Sequence, residues 1–431
     1  MIHVGRAVVA PATVERIGAV SDRRASNPIP QPEEALNPVA RSLIRTCAPA
    51  FVAVLAIVNS EPRRPALSSP LAPDAPPPAG ALAWSQLPAD DTLAGHDAIV
   101  TPDGFMLVHA GERQPGIAPA AMRQLDLRGP VGAWSTLATS GEAPIARLPN
   151  RGLPGSRAVV DPVEGVLLTV CDCREGNTFV LDLATGVWSH AAGDAPLPLW
   201  YSLLAYDAAD DRAIVFGGQA FGLGDQAVAS GWAYDLSGRR AGWRPLPDAP
   251  FKSVYQAAAV EPASRHLVAF GGLGDDGLPV GALWRLDLER AEAQGAWEDI
   301  TALAGPGPAP RMGATLVFDP DARLGVLHGG YTAERDFGDV WLLDYRDPAA
   351  PRWVSAQPDG SDPGARSGHS AVWDPAHGRM VVYGGTRRGP DGDVAFLGDA
   401  WALSVAPPET ARPTIHLPAL FNAADVPSTG R

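Results

Sequence analysis

Four short apolar runs that each end in a pair of glycines constrain this chain more than any other feature. They read Ala213-Ile-Val-Phe-Gly217-Gly218, His266-Leu-Val-Ala-Phe-Gly271-Gly272, Leu324-Gly-Val-Leu-His-Gly329-Gly330 and Met380-Val-Val-Tyr-Gly384-Gly385. The second glycine recurs at intervals of 54, 58 and 55 residues. Degenerate copies precede them at Phe105-Met-Leu-Val-His-Ala-Gly111 and Val166-Leu-Leu-Thr-Val-Cys171. A fixed period of this length means one supersecondary unit stacked on itself, because a single unit cannot bury its own apolar faces.

Each unit has the same internal order. A first apolar run meets the glycine-terminated run across a turn rich in Asp, Pro and Gly (Thr101-Pro-Asp-Gly104, Asp161-Pro162, Asp207, Glu261-Pro262, Asp319-Pro-Asp321, Asp374-Pro-Ala-His-Gly378). Those residues preset tight-turn dihedrals, so each pair is an antiparallel hairpin. A variable loop leads to a third strand: Gln124–Leu127, Phe179–Leu183, Trp232–Leu236, Leu283–Leu288, Val340–Tyr345 and Ala400–Val405. A tryptophan then opens a fourth strand at Trp134, Trp188, Trp243, Trp297 and Trp353.

Four antiparallel strands per unit, with Gly-Gly and a recurring Trp, resemble the kelch repeat of β-propellers. The resemblance covers residues 81–406 and predicts an all-β, six-bladed propeller. The sixth third strand, Ala400–Val405, has no Trp strand behind it, whereas Trp84 precedes the first hairpin with no unit of its own. Trp84 lies 50 residues before Trp134, in step with the later spacings of 54, 55, 54 and 56. The N-terminal strand is therefore expected to close the ring and remove an exposed sheet edge. Glycine pairs allow a close backbone turn without a Cβ penalty, and each Trp is expected to fill space between blades.

Composition excludes some partners. The 431 residues carry 34 Lys+Arg against 48 Asp+Glu, a net charge of −14, and Lys252 is the sole lysine. A nucleic-acid partner needs clustered basic residues and is not expected. Cys47, Cys171 and Cys173 make no disulfide framework. Cys171 and Cys173, two apart on one strand, are too close for an unstrained bridge, so they are read as small core residues. No cofactor and no metal site is expected.

The first eighty residues are a different material. Residues 1–40 are read as disordered or a mis-assigned start. Within 41–58, Arg41 and Arg45 precede eleven uncharged residues, Ala48–Val58. That is too short to span a bilayer but matches the h-region of an export signal. The same segment would also serve as a peripheral membrane tether. Residues 59–80 form a Pro/Ala-rich linker, and 407–431 a tail outside the repeat. The expected location is secreted, periplasmic or cell-surface, and cytoplasmic if the apolar segment is no signal.

In kelch propellers the face built by loops entering each first strand, and by loops following each Gly pair, carries ligands. Aligning the units puts Leu93, Leu153, Leu199, Ser253, Arg311 and Arg366 in one column at the strand entry. Three residues on stand His96, Ser156, Ser202, Gln256, Ala314 and His369. The ligand candidates are His96, Arg311, Arg366 and His369 at the channel mouth, where the arginines suit a forked contact with a carboxylate. Tyr331, Arg335, Arg387, Arg388 and Phe221 join them on the loops. Each also has an ordinary structural reading, as a tie between loop and backbone or as a solvated side chain. His109 and His328 sit where other units carry Phe216, Phe270 and Tyr383, and are read as packed ring substitutes.

No GxSxG, HExxH, P-loop or paired CxxC is present, so no catalytic constellation stands out. The expected function is a monomeric module binding protein or glycan through its loop face. The enzymatic alternative is a sugar-acid isomerase resembling the sialic-acid epimerases, with Arg311, Arg366 and His369 orienting a carboxylated sugar. A copper-radical oxidase like galactose oxidase, which has seven blades, fits less well. An intracellular adaptor would normally bring a recruiting domain that residues 1–80 do not suggest.

Overall fold

Apolar runs with β-branched residues and turn residues at both ends form strands, and the repeat assembles them four at a time. The computed structural model describes residues 82–405, apart from 115, 116, 118, 120, 147–151, 174, 175, 196–198, 221–225, 238–241, 253, 294 and 295. The segments 1–40, 41–58 and 59–80 and the tail 407–431 lie outside the described residues.

Six blades are present. Blade 1 comprises Ala94–Val100, Phe105–Glu112, Met122–Asp126 and Trp134–Leu137. Blade 2 comprises Arg157–Asp161, Val166–Cys173, Gly176–Asp182 and Val187–His190. Blade 3 comprises Leu203–Asp207, Arg212–Phe216, Gly231–Asp235 and Trp243–Leu246. Blade 4 comprises Ala257–Glu261, His266–Phe270, Leu283–Asp287 and Trp297–Asp299. Blade 5 comprises Met312–Asp319, Leu324–Tyr331, Val340–Asp344 and Arg352–Ala356. Blade 6 comprises Ser370–Asp374, Arg379–Tyr383, Ala400–Val405 and the N-terminal strand Leu82–Leu87.

Ring closure follows the expectation from Trp84. Leu82–Leu87 pairs antiparallel with Ala400–Val405, with Trp84 opposite Leu403. First strands of neighbouring blades touch all the way round, blade 6 to blade 1 included. Second strands are buried along their length in blades 3 and 6, which explains the apolar run that follows the arginine at the head of each. Two outer edges gain extra cover. Asp359 pairs with the closing strand through Trp84 N–H to Asp359 O (3.0 Å) and Asp359 N–H to Leu82 O (2.7 Å). Ser140–Gly141 runs parallel to the outer strand of blade 2.

The glycine pairs join blades. The second glycine donates its N–H to the strand-entry residue of the next blade: Gly272 to Arg311 O (2.9 Å), Gly330 to Arg366 O (2.9 Å) and Gly385 to Leu93 O (2.7 Å). A Cβ on Gly271 or Gly384 would stand 2.4 Å from that same carbonyl, so only glycine permits the approach.

Tryptophans clasp the same seam from outside. Five of the six outer-strand Trp residues meet the preceding blade at the aromatic residue that ends its second strand's apolar run. The ring separations are 4.6 Å for Trp134–Tyr383, 5.2 Å for Trp297–Phe216 and 5.4 Å for Trp353–Phe270. The histidine substitutes join in, with Trp188 5.7 Å from His109 and Trp84 5.2 Å from His328. In blade 3, Trp243 instead donates its indole N–H to Thr178 of blade 2 (3.0 Å). Such aromatic contacts add about 1 kcal/mol each beyond area burial.

At the opposite end, the acidic residues of the hairpin turns are buried and tie blades together. Arg265 of blade 4 reaches Asp207 of blade 3 (3.0 Å), and Arg323 of blade 5 reaches Glu261 of blade 4 (2.9 Å).

One expectation is corrected. Cys171 and Cys173 are bridged by a disulfide, with Cα atoms 5.4 Å apart and both side chains fully buried. The strand pairing of blade 2 shifts register between Val170 and Cys173. That irregularity draws the two residues together, which a straight strand would not.

Candidate functional site

The channel mouth is built on a backbone feature. Each blade enters its first strand through one residue with left-handed φ: Gly95 (64°), Gly155 (74°), Tyr201 (50°), Tyr255 (60°), Gly313 (66°) and Gly368 (60°). Their peptides hydrogen-bond head to tail. Gly155 donates to Gly95 (2.7 Å), Tyr201 to Gly155 (2.8 Å) and Tyr255 to Tyr201 (3.3 Å). Gly313 donates to Tyr255 (2.9 Å), Gly368 to Gly313 (3.1 Å) and Gly95 to Gly368 (2.9 Å), closing a circle of six bonds. Left-handed φ costs a non-glycine residue roughly 1–2 kcal/mol, so two adjacent tyrosines here are a local exception to what the geometry favours.

Those tyrosines cover the ring. Tyr201 lies against Gly155, where a Cβ would come within 2.7 Å of its phenol ring. Its ring is 4.2 Å from that of Tyr255. Tyr331, the residue after the blade 5 glycine pair, lies against Gly313. Tyr201 and Tyr331 are buried and Tyr255 is half-buried. Burial holds the Tyr201 and Tyr331 hydroxyls well above the usual phenol range. The Tyr201 hydroxyl is buried with no hydrogen-bond partner among the described residues.

The strand-entry arginines are clamps. Arg311 is 1% exposed and Arg366 is fully buried. Arg311 grips Asp339 through both Nη atoms (2.5 and 2.9 Å) and donates to Gly329 O (3.1 Å). Arg366 grips Asp399 (3.0 and 2.9 Å) and donates to Gly384 O (3.0 Å) and Pro363 O. Each guanidinium holds its carboxylate below the usual range against the opposing effect of burial. Neither arginine presents a fork to the mouth, because the Nη atoms of both already bind carboxylate and carbonyl oxygens.

His96 and His369 tie blades together beneath the mouth. His96 Nε2 is 2.8 Å from Ser370 Oγ of blade 6, and His369 Nε2 is 2.8 Å from Thr315 Oγ1 of blade 5. Burial lowers His96 to about 3 and depresses His369 as well. His109 makes a similar tie to Thr169 (2.9 Å) and is lowered to about 4.

The remaining candidates sit on the rim. Arg335 is exposed and lies over Phe337 (4.5 Å), whose ring also takes Arg311 (3.8 Å). Arg387 is exposed and donates to Ala365 O (3.0 Å) and Pro363 O (2.6 Å), while Arg388 donates to Ala333 O (2.6 Å). Carbonyl partners orient these guanidinium groups without neutralising them. Phe221 lies outside the described residues. Asp339, Asp399, Tyr201 and Tyr255 were not singled out by sequence reasoning. Among the described residues, no cluster of three or more His, Cys, Asp or Glu could hold a metal ion. No helix among them is long and apolar enough to cross a membrane.

Six radial four-stranded sheets around a channel define a β-propeller. Residues 239–414 match the family model described as the KLHDC2/KLHL20/DRC7 Kelch-repeats domain. An F-box/kelch-repeat protein of Arabidopsis thaliana is 32% identical over 148 residues, 33% of this chain and 29% of that protein. Multiple epidermal growth factor-like domains protein 8 of Rattus norvegicus is 31% identical over 228 residues, 49% of this chain and 8% of that protein. The chain thus spans less than a third of these relatives. The solved structure titled "Structure of YjhT" shares the fold, with a TM-score of 0.52, 13% identity, and coverage of 74% of this chain and 97% of that one. The chain is a kelch-repeat β-propeller.

Proposed function

We propose that this propeller is an exported binding module that docks a protein partner on its loop face. The observation that carries the reading is the tyrosine floor of the mouth, Tyr201, Tyr255 and Tyr331, with Arg335, Arg387 and Arg388 on the adjoining rim. Tyrosine and arginine dominate the energetics of protein interfaces, since they offer large contact area together with directed polar groups. Glu112 also lies near Tyr201, whose hydroxyl its charge affects. The adjoining rings of Tyr201 and Tyr255 also offer an aromatic face to a sugar ring.

Export is supported by the Cys171–Cys173 disulfide, a bond that persists in oxidising compartments. It agrees with the signal-like character of residues 41–58.

The test is selection of a displayed peptide library, beside a glycan array, on the immobilised protein. Enrichment of one peptide class, lost in Tyr255→Ala and weakened in Arg335→Glu, supports the reading. Saturable glycan binding with the same losses moves the assignment to a lectin. Equal retention of peptides by the wild type and the Tyr255→Ala/Arg335→Glu variant contradicts docking at this face.

A further inference from the structure

The central channel holds a cavity of about 120 Å³ lined by first-strand residues of all six blades. Blades 1 and 2 contribute the charged pair Asp97 and Arg157, and blades 3 to 6 contribute the apolar Leu204, Ala258, Leu316 and Ala371 beside the polar Ser202, Gln256, Thr315 and Ser370. The two charged side chains sit on first strands, yet Asp97 remains 21% and Arg157 26% exposed.

They are held very differently. Asp97 accepts the N–H of Ala98 (3.0 Å) on one oxygen and that of Ala158 (2.9 Å) on the other. Arg157 donates Nε–H to Ser202 O (3.1 Å), but its Nη1 stands 3.7 Å from Asp97, too far for a hydrogen bond. Among the described residues the four buried arginines all grip their carboxylates at 3.0 Å or less: Arg212 to Asp207, Arg311 to Asp339, Arg366 to Asp399 and Arg379 to Asp374. Among the described residues Arg157 is the arginine that lines this channel, and its Nη edge makes no hydrogen bond, the backbone amides already fixing its carboxylate neighbour.

We propose that Arg157 anchors a small-molecule site in this channel that takes a small monocarboxylate. The ligand's carboxylate meets the open edge of the guanidinium in a forked contact, and its short apolar body rests on Leu204, Ala258, Leu316 and Ala371. The cavity has room for about four waters, enough for a ligand of propionate size. Asp97 disfavours dianions, since a second negative charge beside it gains nothing from the single guanidinium. This inference is independent of docking at the loop face.

The experiment is calorimetric titration of the full chain with propionate, acetate and inorganic phosphate, one at a time, at constant ionic strength. Saturable propionate binding is expected, with a dissociation constant on the order of 1 mM or tighter. Acetate should bind more weakly, phosphate not measurably. Arg157→Gln should abolish binding, Ala258→Phe should abolish it by filling the cavity with Arg157 untouched, and Asp97→Asn should tighten it several-fold. Ala258→Phe keeps the test decisive if Arg157→Gln fails to fold. No saturable propionate binding, unchanged binding in Ala258→Phe, or phosphate binding as tight as propionate overturns the proposal.

Discussion

The ring of Trp84 lies 5.2 Å from that of His328, so the strand that completes blade 6 also grips blade 5. The first and last described strands meet in one sheet, and the joint is sealed by an aromatic clasp like those between other blades. Trp84 is 6% exposed, and truncating a buried Trp leaves a cavity as well as lost transfer energy. Trp84→Ala is expected to cost about 3–5 kcal/mol in urea unfolding. Trp134→Ala, at a half-buried site, should cost less. Equal, small costs would mean that the closing strand contributes little.

Arg311 and Asp339 form a pair whose cationic member is almost fully buried. Removing the carboxylate strands the guanidinium, so Asp339→Ala should destabilise by about 3 kcal/mol. The double variant Arg311→Met/Asp339→Ala should recover part of that loss, because no uncompensated charge remains. A double variant as unstable as the sum of both singles would contradict the pairing.

Four buried histidines set the acid side of the stability curve. His96 and His328 are lowered to about 3, His109 to about 4, and His369 is also depressed, each by burial first. All are neutral in the fold, but in the unfolded chain they take up protons below about pH 6.5. Their contribution is therefore complete above pH 6.5 and lost as pH falls toward 4. Each removes up to about 1.4 kcal/mol of stability per pH unit of fall in that window, so urea midpoints should drop steeply from pH 6.5 to 5. A flat midpoint across that range would contradict neutral burial.

The disulfide is buried and should resist native-state reductants. Intact-mass measurement of the native protein should show it 2 Da (about two hydrogens) lighter than after unfolding in reductant. Thiol labelling of the native chain should leave Cys171 and Cys173 unmodified. Replacing both with Ser should cost about 1–2 kcal/mol, since the bridge closes a very short loop. Native labelling of either cysteine would contradict the bond.

Six blades and the Trp84 strand were legible because every repeat restates the same signals, and the missing sixth Trp strand pointed to its replacement. His109 and His328 were legible as ring substitutes from the slot they occupy. The arginine clamps were not, because Asp339 and Asp399 lie across loops of different length. The available signal was internal: Asp339-Val-Trp341 and Asp399-Ala-Trp401 occur in the two blades whose entry residue is Arg. The mouth ring was missed for a similar reason. Glycine marks the left-handed position in four blades, but Tyr201 and Tyr255 hide it in the other two. The disulfide was missed because alternation along a strand does not foresee a register shift.

Closure by the N-terminal strand is tested most directly by cross-linking its register. Ala83 faces Ser404 across the strand pair, and opposed residues in an antiparallel pair lie within disulfide reach. In a Cys47→Ser background, Ala83→Cys/Ser404→Cys should oxidise to an intramolecular bond in the full-length protein and raise its melting temperature. Failure to form that bond, or formation only between molecules, would contradict a propeller closed at Trp84.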